Sequence, residues 1–228
     1  KGIGKSTFVK YFINKIFTNL SENKINHLKH KTLISNNTHP NLRIISKLIN
    51  EKNNKLKNNI IIDQIRNLES FVYKSSIFDM PKFILIDSAD DLNESSSNGL
   101  LKILEEPKKN TYFFLISHQP MLLLPTIRSR CIKFKFQKPS FNTFKKILLL
   151  NNEDIMNDNR IEYLFYLSNG SPGLAFDLHF NDTSDIFENF LQICKEKNIL
   201  SKKIVKISSE ISNCNNEQFS TFLIIIKF

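Results

Sequence analysis

The chain has 228 residues, of which 41% are hydrophobic, and it carries a formal net charge of +10. This length allows one or two domains with a buried core. Without a long apolar run or a signal peptide, the sequence predicts a cytoplasmic protein that makes no membrane contact. Its three cysteines form no Cys-x-x-Cys pair, so we expect neither a zinc site nor a disulfide framework. The charge is compatible with nucleic-acid binding, but lysines spread over solvated surfaces explain it more simply.

The first predicted element is a phosphate-binding loop that leads into a helix. Lys1-Gly2-Ile3-Gly4-Lys5-Ser6-Thr7 contains the final Gly-Lys-Ser of the pattern G-x-x-x-x-G-K-[ST]. Glycines let backbone N–H groups surround phosphate oxygens, and a helix N-terminus attracts anions. We therefore expect Gly2 to Thr7 to bind a nucleotide, with Lys5 on the outer phosphates and the Ser6 hydroxyl on Mg²⁺. The helix is indicated by an apolar stripe of Phe8, Val9, Phe12, Ile13, Ile16, Phe17 and Leu20.

Two features of this loop concern the start of the chain. The first glycine of the pattern and the strand that carries the loop would both precede Lys1. We therefore expect the first domain to lack its N-terminal strand in this sequence.

The region from residue 21 to residue 59 is polar, basic and poorly periodic. Leu42 to Ile49 predicts a strand that leads into a short helix, and the charged, Asn-rich stretch from Glu51 to Asn59 predicts a solvated loop. Asp63 is then a predicted N-cap. The helix that it begins has an apolar face of Ile65, Leu68, Phe71 and Val72.

Two apolar runs predict neighbouring strands. Phe83 to Ile86 ends at Asp87, and Tyr112 to Ile116 ends at Ser117 and His118. Short apolar runs bounded by polar residues are typical of buried strands in a parallel sheet, whose ligands bind at the carboxyl ends of the strands. We therefore expect Asp87 to contact phosphate or metal, and to hold Mg²⁺ together with Ser6. The helix between the runs begins near Asn93 or Ser95, ends before Pro107, and has an apolar face of Leu100, Leu101 and Leu104.

Several short motifs join the phosphate loop to a known family. They are His39–Leu42, Ile62–Arg66, Asn98–Pro107, Leu124–Cys131 and Gly170–Gly173. Together they resemble the delta-prime type of bacterial DNA polymerase III clamp-loader subunit, in the AAA+ superfamily, over roughly Lys1 to Phe180.

The resemblance implies a fold and a domain plan. The fold is α/β: an AAA+ P-loop parallel sheet with helices on both faces, then a small helical lid and the start of a helical collar. We expect an AAA+ core over residues 1–138, a three-helix lid over 139–181 and a truncated collar over 182–228.

The resemblance also bears on ATP hydrolysis. ATP-hydrolysing AAA+ proteins follow the strand-end aspartate with a glutamate that activates water, and here Ser88 stands in that place. A hydroxyl is a poor general base near pH 7, which leaves Asp90 or Asp91 as substitutes. The second sensing arginine of the lid is also absent, because the sequence there reads Gly173-Leu174. We therefore expect weak or no hydrolysis.

Other residue roles follow from the resemblance alone. Ser117 and His118 fall where AAA+ proteins place a residue that senses the γ-phosphate. Arg130 in Ser129-Arg130-Cys131 matches the arginine finger that acts in trans on ATP held by the adjacent subunit.

The segment after this motif has a pattern of its own. Cys131 opens a segment in which Phe134 and Phe136 alternate with lysines, which predicts a strand.

The function implied is that of a subunit of the DNA polymerase III holoenzyme, a nucleotidyltransferase complex. It would help load the sliding clamp onto primed DNA in a hetero-oligomeric ring with delta and gamma/tau-type ATPase subunits, with ATP and Mg²⁺ as its ligands. Two alternatives stay open: an ATP-hydrolysing gamma/tau-type motor, and a scaffold whose phosphate loop is a relic that binds no nucleotide. An autonomous ATPase or nucleotide kinase would need a glutamate at position 88 and an arginine near 174.

Overall fold

The structure, a computed structural model, describes residues 1–21, 24–50, 55–74, 76, 80–151, 158–180, 201–214, 218, 219 and 223. The chain divides into two compact units, one of Lys5–Lys135 and one of Lys1–Gly4 with Phe136–Phe228. The three-part division into core, lid and collar stays a prediction, and most of the predicted collar lies outside the described residues. Within the described part of the chain, no helix combines the length and apolarity needed to cross a membrane.

The Lys5–Lys135 unit is built on a three-stranded parallel sheet whose strands, in spatial order, are Leu42–Ile45, Lys82–Asp87 and Thr111–Ile116. Its strands are β1 (Leu42–Ile45), β2 (Ile49–Asn50), β3 (Lys55–Leu56), β4 (Lys82–Asp87) and β5 (Thr111–Ile116). Its helices are α1 (Lys5–Leu20), α2 (Lys24–Ser35), α3 (Ile62–Tyr73), α4 (Glu94–Glu105) and α5 (Pro125–Ser129), with short 3₁₀ turns at Ala89–Asp91 and Pro120–Leu122. In the central strand, Phe83 lies between Leu42 and Tyr112.

Strand β4 is apolar because both of its faces are covered. Ile84 and Ile86 pack into a cluster with residues of α3 and α4, whereas Phe83 and Leu85 pack into a second cluster with residues of α1 and α2. Each such side chain, once fully buried, contributes about 1.5–3 kcal/mol. The predicted α/β fold, a parallel sheet with helices on both faces, is confirmed.

Helix α1 has a narrower apolar stripe than predicted. Val9, Ile13 and Phe17, spaced four residues apart, are buried. Phe8 and Phe12 each lie one position earlier on the helix, roughly 100° around its axis from the buried positions, although the Phe12 ring still contacts that of Phe114 in β5 with centroids 6.1 Å apart. Phe8 and Phe12 are 48% and 43% exposed, and their rings stack with centroids 6.3 Å apart. Phe8 and Phe12 therefore belong to the apolar stripe but not to its buried part.

Helices α3 and α4 confirm most of their predicted features. The predicted face of α3 is buried, but its N-cap is Ile61, whose N–H donates to Gln64 Oε1 at 3.2 Å, and Asp63 lies in the first turn. The prediction that Asp63 caps this helix is therefore wrong. Asn93 caps α4 by accepting a hydrogen bond from the Ser96 N–H at 2.8 Å.

Two further predictions differ from the structure. Ile49 belongs to β2, which pairs antiparallel with β3, and does not begin a short helix. Residues 131–140 form neither helix nor strand, and Ile132 and Phe134 are 98% and 84% exposed. An alternating pattern suits a strand, but a strand also needs a neighbour to accept its backbone hydrogen bonds.

The other unit contains α6 (Phe141–Asn151), α7 (Asp158–Leu167), α8 (Pro172–Phe180) and α9 (Ser201–Ser212). The first three of these helices share one apolar core. Its buried members are Phe144, Leu148, Ile161, Leu164, Ala175 and Leu178, and Ile211 of α9 packs against them.

A buried lysine connects β4 to the end of α3. Lys82 is 4% exposed, and its ammonium donates to the carbonyls of Phe71 at 2.7 Å, Val72 at 3.3 Å and Lys74. These carbonyls have no partner within the helix, so the lysine caps its C-terminus. Burial, together with the charge of Lys108, lowers the pKa of Lys82.

A pair of buried histidines, His30 and His39, packs against Phe17 of α1. The N–H of Asn41 donates to His39 Nδ1 at 3.1 Å, so the proton of neutral His39 is assigned to Nε2, which lies 2.9 Å from His30 Nδ1. His30 Nε2 in turn lies 2.8 Å from Ser21 Oγ. The rings of His39 and Phe17 stack with centroids 4.0 Å apart. Burial, with a smaller contribution from His30, lowers the pKa of His39 to about 4.

Candidate functional site

The phosphate loop adopts a backbone that requires its glycines. Gly2 and Gly4 have φ values of 77° and 82°, in the left-handed region that side chains disfavour. Ile3 lies between them, and Lys5, Ser6 and Thr7 form the first turn of α1. A loop of this kind followed by a helix N-terminus directs backbone N–H groups at an anion.

The start of the loop packs against the start of α8. Ser171 Oγ donates to the Lys1 carbonyl at 2.8 Å, and the Gly173 N–H donates to the Gly2 carbonyl at 2.8 Å. A Cβ on Gly173 would lie 2.8 Å from Gly2 Cα, so only glycine fits there. The N-terminus of α8, where the sequence has no second sensing arginine, thus packs against the backbone of the loop.

Lys5 lies at the carboxyl ends of β4 and β5. Its ammonium donates to the carbonyl of Ser117, the residue that follows β5. Burial lowers the pKa of Lys5, and the charges of Asp90 and Asp87 offset part of this effect. The lysine and the two carboxylates are therefore close enough to interact, as the predicted phosphate site requires.

Asp87 is the last residue of β4, where it lies opposite Ile116 of β5. With the Ser6 hydroxyl it offers oxygen ligands, which suit Mg²⁺. No group of three or more His, Cys, Asp or Glu side chains able to hold a metal occurs among the residues that the structure describes. Magnesium held by Ser6 and Asp87 would thus need water and phosphate oxygens to complete its coordination.

Asp90 is the most heavily hydrogen-bonded carboxylate of this region. It accepts from Ser117 Oγ at 2.5 Å, from the His118 N–H at 2.5 Å, from Ser88 Oγ at 3.0 Å and from the Gln119 N–H at 3.4 Å. Burial alone would raise the pKa of Asp90, but these hydrogen bonds outweigh burial and lower it below its ordinary value near 3.8. Sequence reasoning missed this network.

Both candidate substitutes for the missing glutamate already have partners within the chain. Asp90 already accepts four hydrogen bonds, and its lowered pKa makes it a weak base. Asp91 forms an ion pair with Lys47 at 3.0 Å. The two candidate sensor residues are engaged as well, because the Ser117 hydroxyl and the His118 N–H both donate to Asp90.

Arg130 follows α5 at the surface of its unit. Its Nη2 donates to Glu105 Oε1 at 2.7 Å and its Nη1 donates to the Thr126 carbonyl at 2.9 Å. The two side chains of the ion pair are 36% and 49% exposed. A guanidinium has five N–H donors, so these two bonds fix its orientation and, counting only bonds among the described residues, leave three donors for another molecule. Sequence reasoning identified Arg130 but not Glu105, although Glu105 lies within the quoted Asn98–Pro107 motif.

The combined features define a class of protein. A parallel sheet with helices on both faces, a Gly-Lys-Ser loop that enters a helix, and an aspartate at the end of the central strand define an α/β protein of the phosphate-loop class. A family profile described as DNA polymerase III, delta subunit, matches residues 1–140. The chain belongs to that family.

Individual relatives carry related names. DNA polymerase III subunit delta′ of Pseudomonas aeruginosa is 32% identical over 180 residues, which are 78% of this chain and 53% of the relative. Subunit delta′ of Escherichia coli K12 is 29% identical over 166 residues, or 73% and 47% of the two chains. The chain thus spans about half the length of these relatives. A crystal structure of a DNA polymerase III gamma subunit-related protein from Thermotoga maritima aligns with 87% of this chain and 68% of its own at 18% identity and a TM-score of 0.41.

Proposed function

We propose that this chain is the delta-prime-type member of a clamp-loader ring, which helps to load a sliding clamp onto primed DNA. Its partners are gamma/tau-type ATPase subunits and a delta subunit, and its catalytic contribution is Arg130, donated to ATP held by a neighbouring ATPase. Membership of the delta-subunit family supports the role. The observation that carries the catalytic part is the guanidinium of Arg130, which is exposed and fixed by Glu105 and Thr126.

Arg130 would act on phosphoryl transfer in the neighbour. Negative charge spreads over the γ-phosphate oxygens in the transition state, and a guanidinium placed there stabilises it. The contacts to Glu105 and Thr126 reduce the conformational entropy that the side chain loses when it meets the phosphate. The loading of the clamp itself would depend on the ring as a whole.

In this proposal the chain's own phosphate loop binds a nucleotide but hydrolyses it slowly. Lys5 would contact the outer phosphates of a bound nucleotide, and Ser6 with Asp87 would hold its Mg²⁺. Turnover would be slow, because Ser88 replaces the glutamate and both Asp90 and Asp91 are engaged elsewhere. These contacts also weigh against the gamma/tau-type motor.

The test is steady-state ATP hydrolysis by the full-length protein alone, beside a Lys5→Ala variant. We expect little or no turnover above that of the variant, since Ser88 stands in place of the glutamate and both Asp90 and Asp91 already have partners. Clear turnover that depends on Lys5 would contradict the proposal and assign the chain to the motor subunits. Hydrolysis is followed as released phosphate, with a gamma/tau-type subunit as the positive control.

A scaffold that binds no nucleotide is the second candidate. It is favoured by one observation: the Lys5 ammonium already donates to the Ser117 carbonyl within the chain. Titration with ATP and ADP up to millimolar concentration separates the two candidates, because the scaffold binds neither nucleotide.

A further inference from the structure

Asp90 holds together the two segments that follow the central strands. Its carboxylate accepts hydrogen bonds from Ser88, which follows β4, and from Ser117, His118 and Gln119, which follow β5. Ser117 and His118 are the residues predicted to sense a γ-phosphate, and Asp90 engages the hydroxyl of the first and the backbone N–H of the second. An anionic side chain of the protein therefore occupies the donors that an anionic phosphate would need.

We propose that Asp90 is a specificity-determining residue that makes this phosphate site select nucleoside diphosphates over triphosphates. The inference rests on the proposed binding of nucleotide at Lys5 and Ser6, and it names the class of nucleotide which that site takes.

The selectivity follows from charge and from the direction of the hydrogen bonds. The four hydrogen bonds keep Asp90 ionised at neutral pH by lowering its pKa. Phosphate oxygens accept hydrogen bonds. A γ-phosphate therefore could not donate to the Asp90 carboxylate in place of the Ser117 hydroxyl and the His118 N–H. It would have to displace Asp90 from Ser117 and His118 and then lie beside a like charge, which is strongly unfavourable away from bulk water.

A diphosphate avoids this cost. Its two phosphates are the ones that the N–H groups of a phosphate loop contact, and the lysine can still reach the outer one. Asp90 takes no hydrogen bond from Lys5 or the loop among those found in the described residues. Lys5 gains a further favourable charge from the Asp90 carboxylate, which lies near it. Asp90 thus penalises the third phosphate more than the first two.

The test compares the affinities for ADP and for a non-hydrolysable ATP analogue, both with Mg²⁺, by calorimetric titration of the full-length protein. We expect wild-type protein to bind ADP at least about tenfold more tightly than the analogue. Asp90→Asn removes the charge and keeps the shape, and is expected to tighten analogue binding about tenfold while changing ADP binding less than about twofold. Asp91→Asn, an equal change at the neighbouring residue, is expected to keep the wild-type ratio, since Asp91 pairs with Lys47.

The outcomes separate the selectivity that we assign to Asp90 from the binding of nucleotide at Lys5 and Ser6. If both ligands bind and the ratio is the same in wild type and Asp90→Asn, the role of Asp90 is overturned and nucleotide binding stands. If neither ligand binds to wild type or to the variant, nucleotide binding at the loop and the role of Asp90 are both overturned.

Lys5→Ala should abolish binding, which locates the ligand at the loop. Thermal unfolding checks the fold of each variant, and an analogue that wild type binds as tightly as ADP overturns the inference whether or not Asp90→Asn folds.

Discussion

Replacing Arg130 with alanine is expected to lower ATP hydrolysis about 10³-fold at the site that it serves in the assembled ring. The loss is large because the guanidinium meets charge that develops only in the transition state. The ring should still assemble, since an ion pair as exposed as Arg130–Glu105 contributes less than about 1 kcal/mol to stability. The measurement is phosphate release by the reconstituted ring, with assembly followed by size-exclusion chromatography.

Two matched variants sharpen this test. Arg128→Ala removes the same charge from the same segment; Arg128 Nη1 contacts Met121 Sδ at 3.1 Å, and we expect almost full activity. Arg130→Lys keeps the charge but loses the planar fork that pairs with phosphate, so its rate should lie between those of wild type and Arg130→Ala. An unchanged rate in Arg130→Ala, or an equal loss in Arg128→Ala, would rule out the finger role.

The stability of the protein is expected to fall by up to roughly 3 kcal/mol as the pH is lowered from about 6.5 to about 4. In this range the unfolded chain binds a proton at His39, whose ordinary pKa is 6.5, whereas the folded chain does not, because its pKa there is about 4. Protonation therefore favours unfolding, and this contribution is fully present only above pH 6.5. A protonated His39 would also point an N–H at the N–H of Asn41, which now donates to it.

Urea unfolding at a series of pH values measures this effect. His39→Gln should be less stable at pH 7.5 but should lose much of the slope between pH 6.5 and 4, since the titrating group is gone. Ser21→Ala removes the hydroxyl next to His30 Nε2 and no titrating group, so it should cost about 1 kcal/mol and keep the wild-type slope. Equal slopes in wild type and His39→Gln would show that the acid sensitivity arises elsewhere.

The parts of the fold that the sequence predicted are those set by local pattern. Strand β4 is an apolar run ended by Asp87, and Asn93 is a capping residue ahead of an amphipathic stretch, so both were found within a residue or two. The segment after Cys131 had an equally clear alternation, and yet it forms no strand. Pattern states which faces a strand would have, but it does not supply the neighbour that completes the hydrogen bonds.

The candidate site shows the same limit at the level of contacts. The loop residues from Gly2 to Thr7 were named from a contiguous motif, and the structure places them at the entrance to α1. Asp90 and Ser117 are 27 residues apart, and Arg130 and Glu105 are 25 apart. These pairs meet only because β4 lies beside β5 and because α4 lies near α5. Knowledge of that adjacency, together with the polar residues at both strand ends, could have suggested the Asp90 network.

The cap that Lys82 provides bears on how the sequence between α3 and β4 can evolve. The ammonium joins the first residue of β4 to carbonyls at the end of α3 and of Lys74, so the two ends of the intervening segment are held in place independently of the residues between them. Lengthening a chain segment between fixed ends costs little loop-closure entropy, about 0.6 kcal/mol for each doubling of its length. Insertions between Lys74 and Lys82 should therefore be tolerated among relatives that keep the lysine, and tolerated less well among those that lose it.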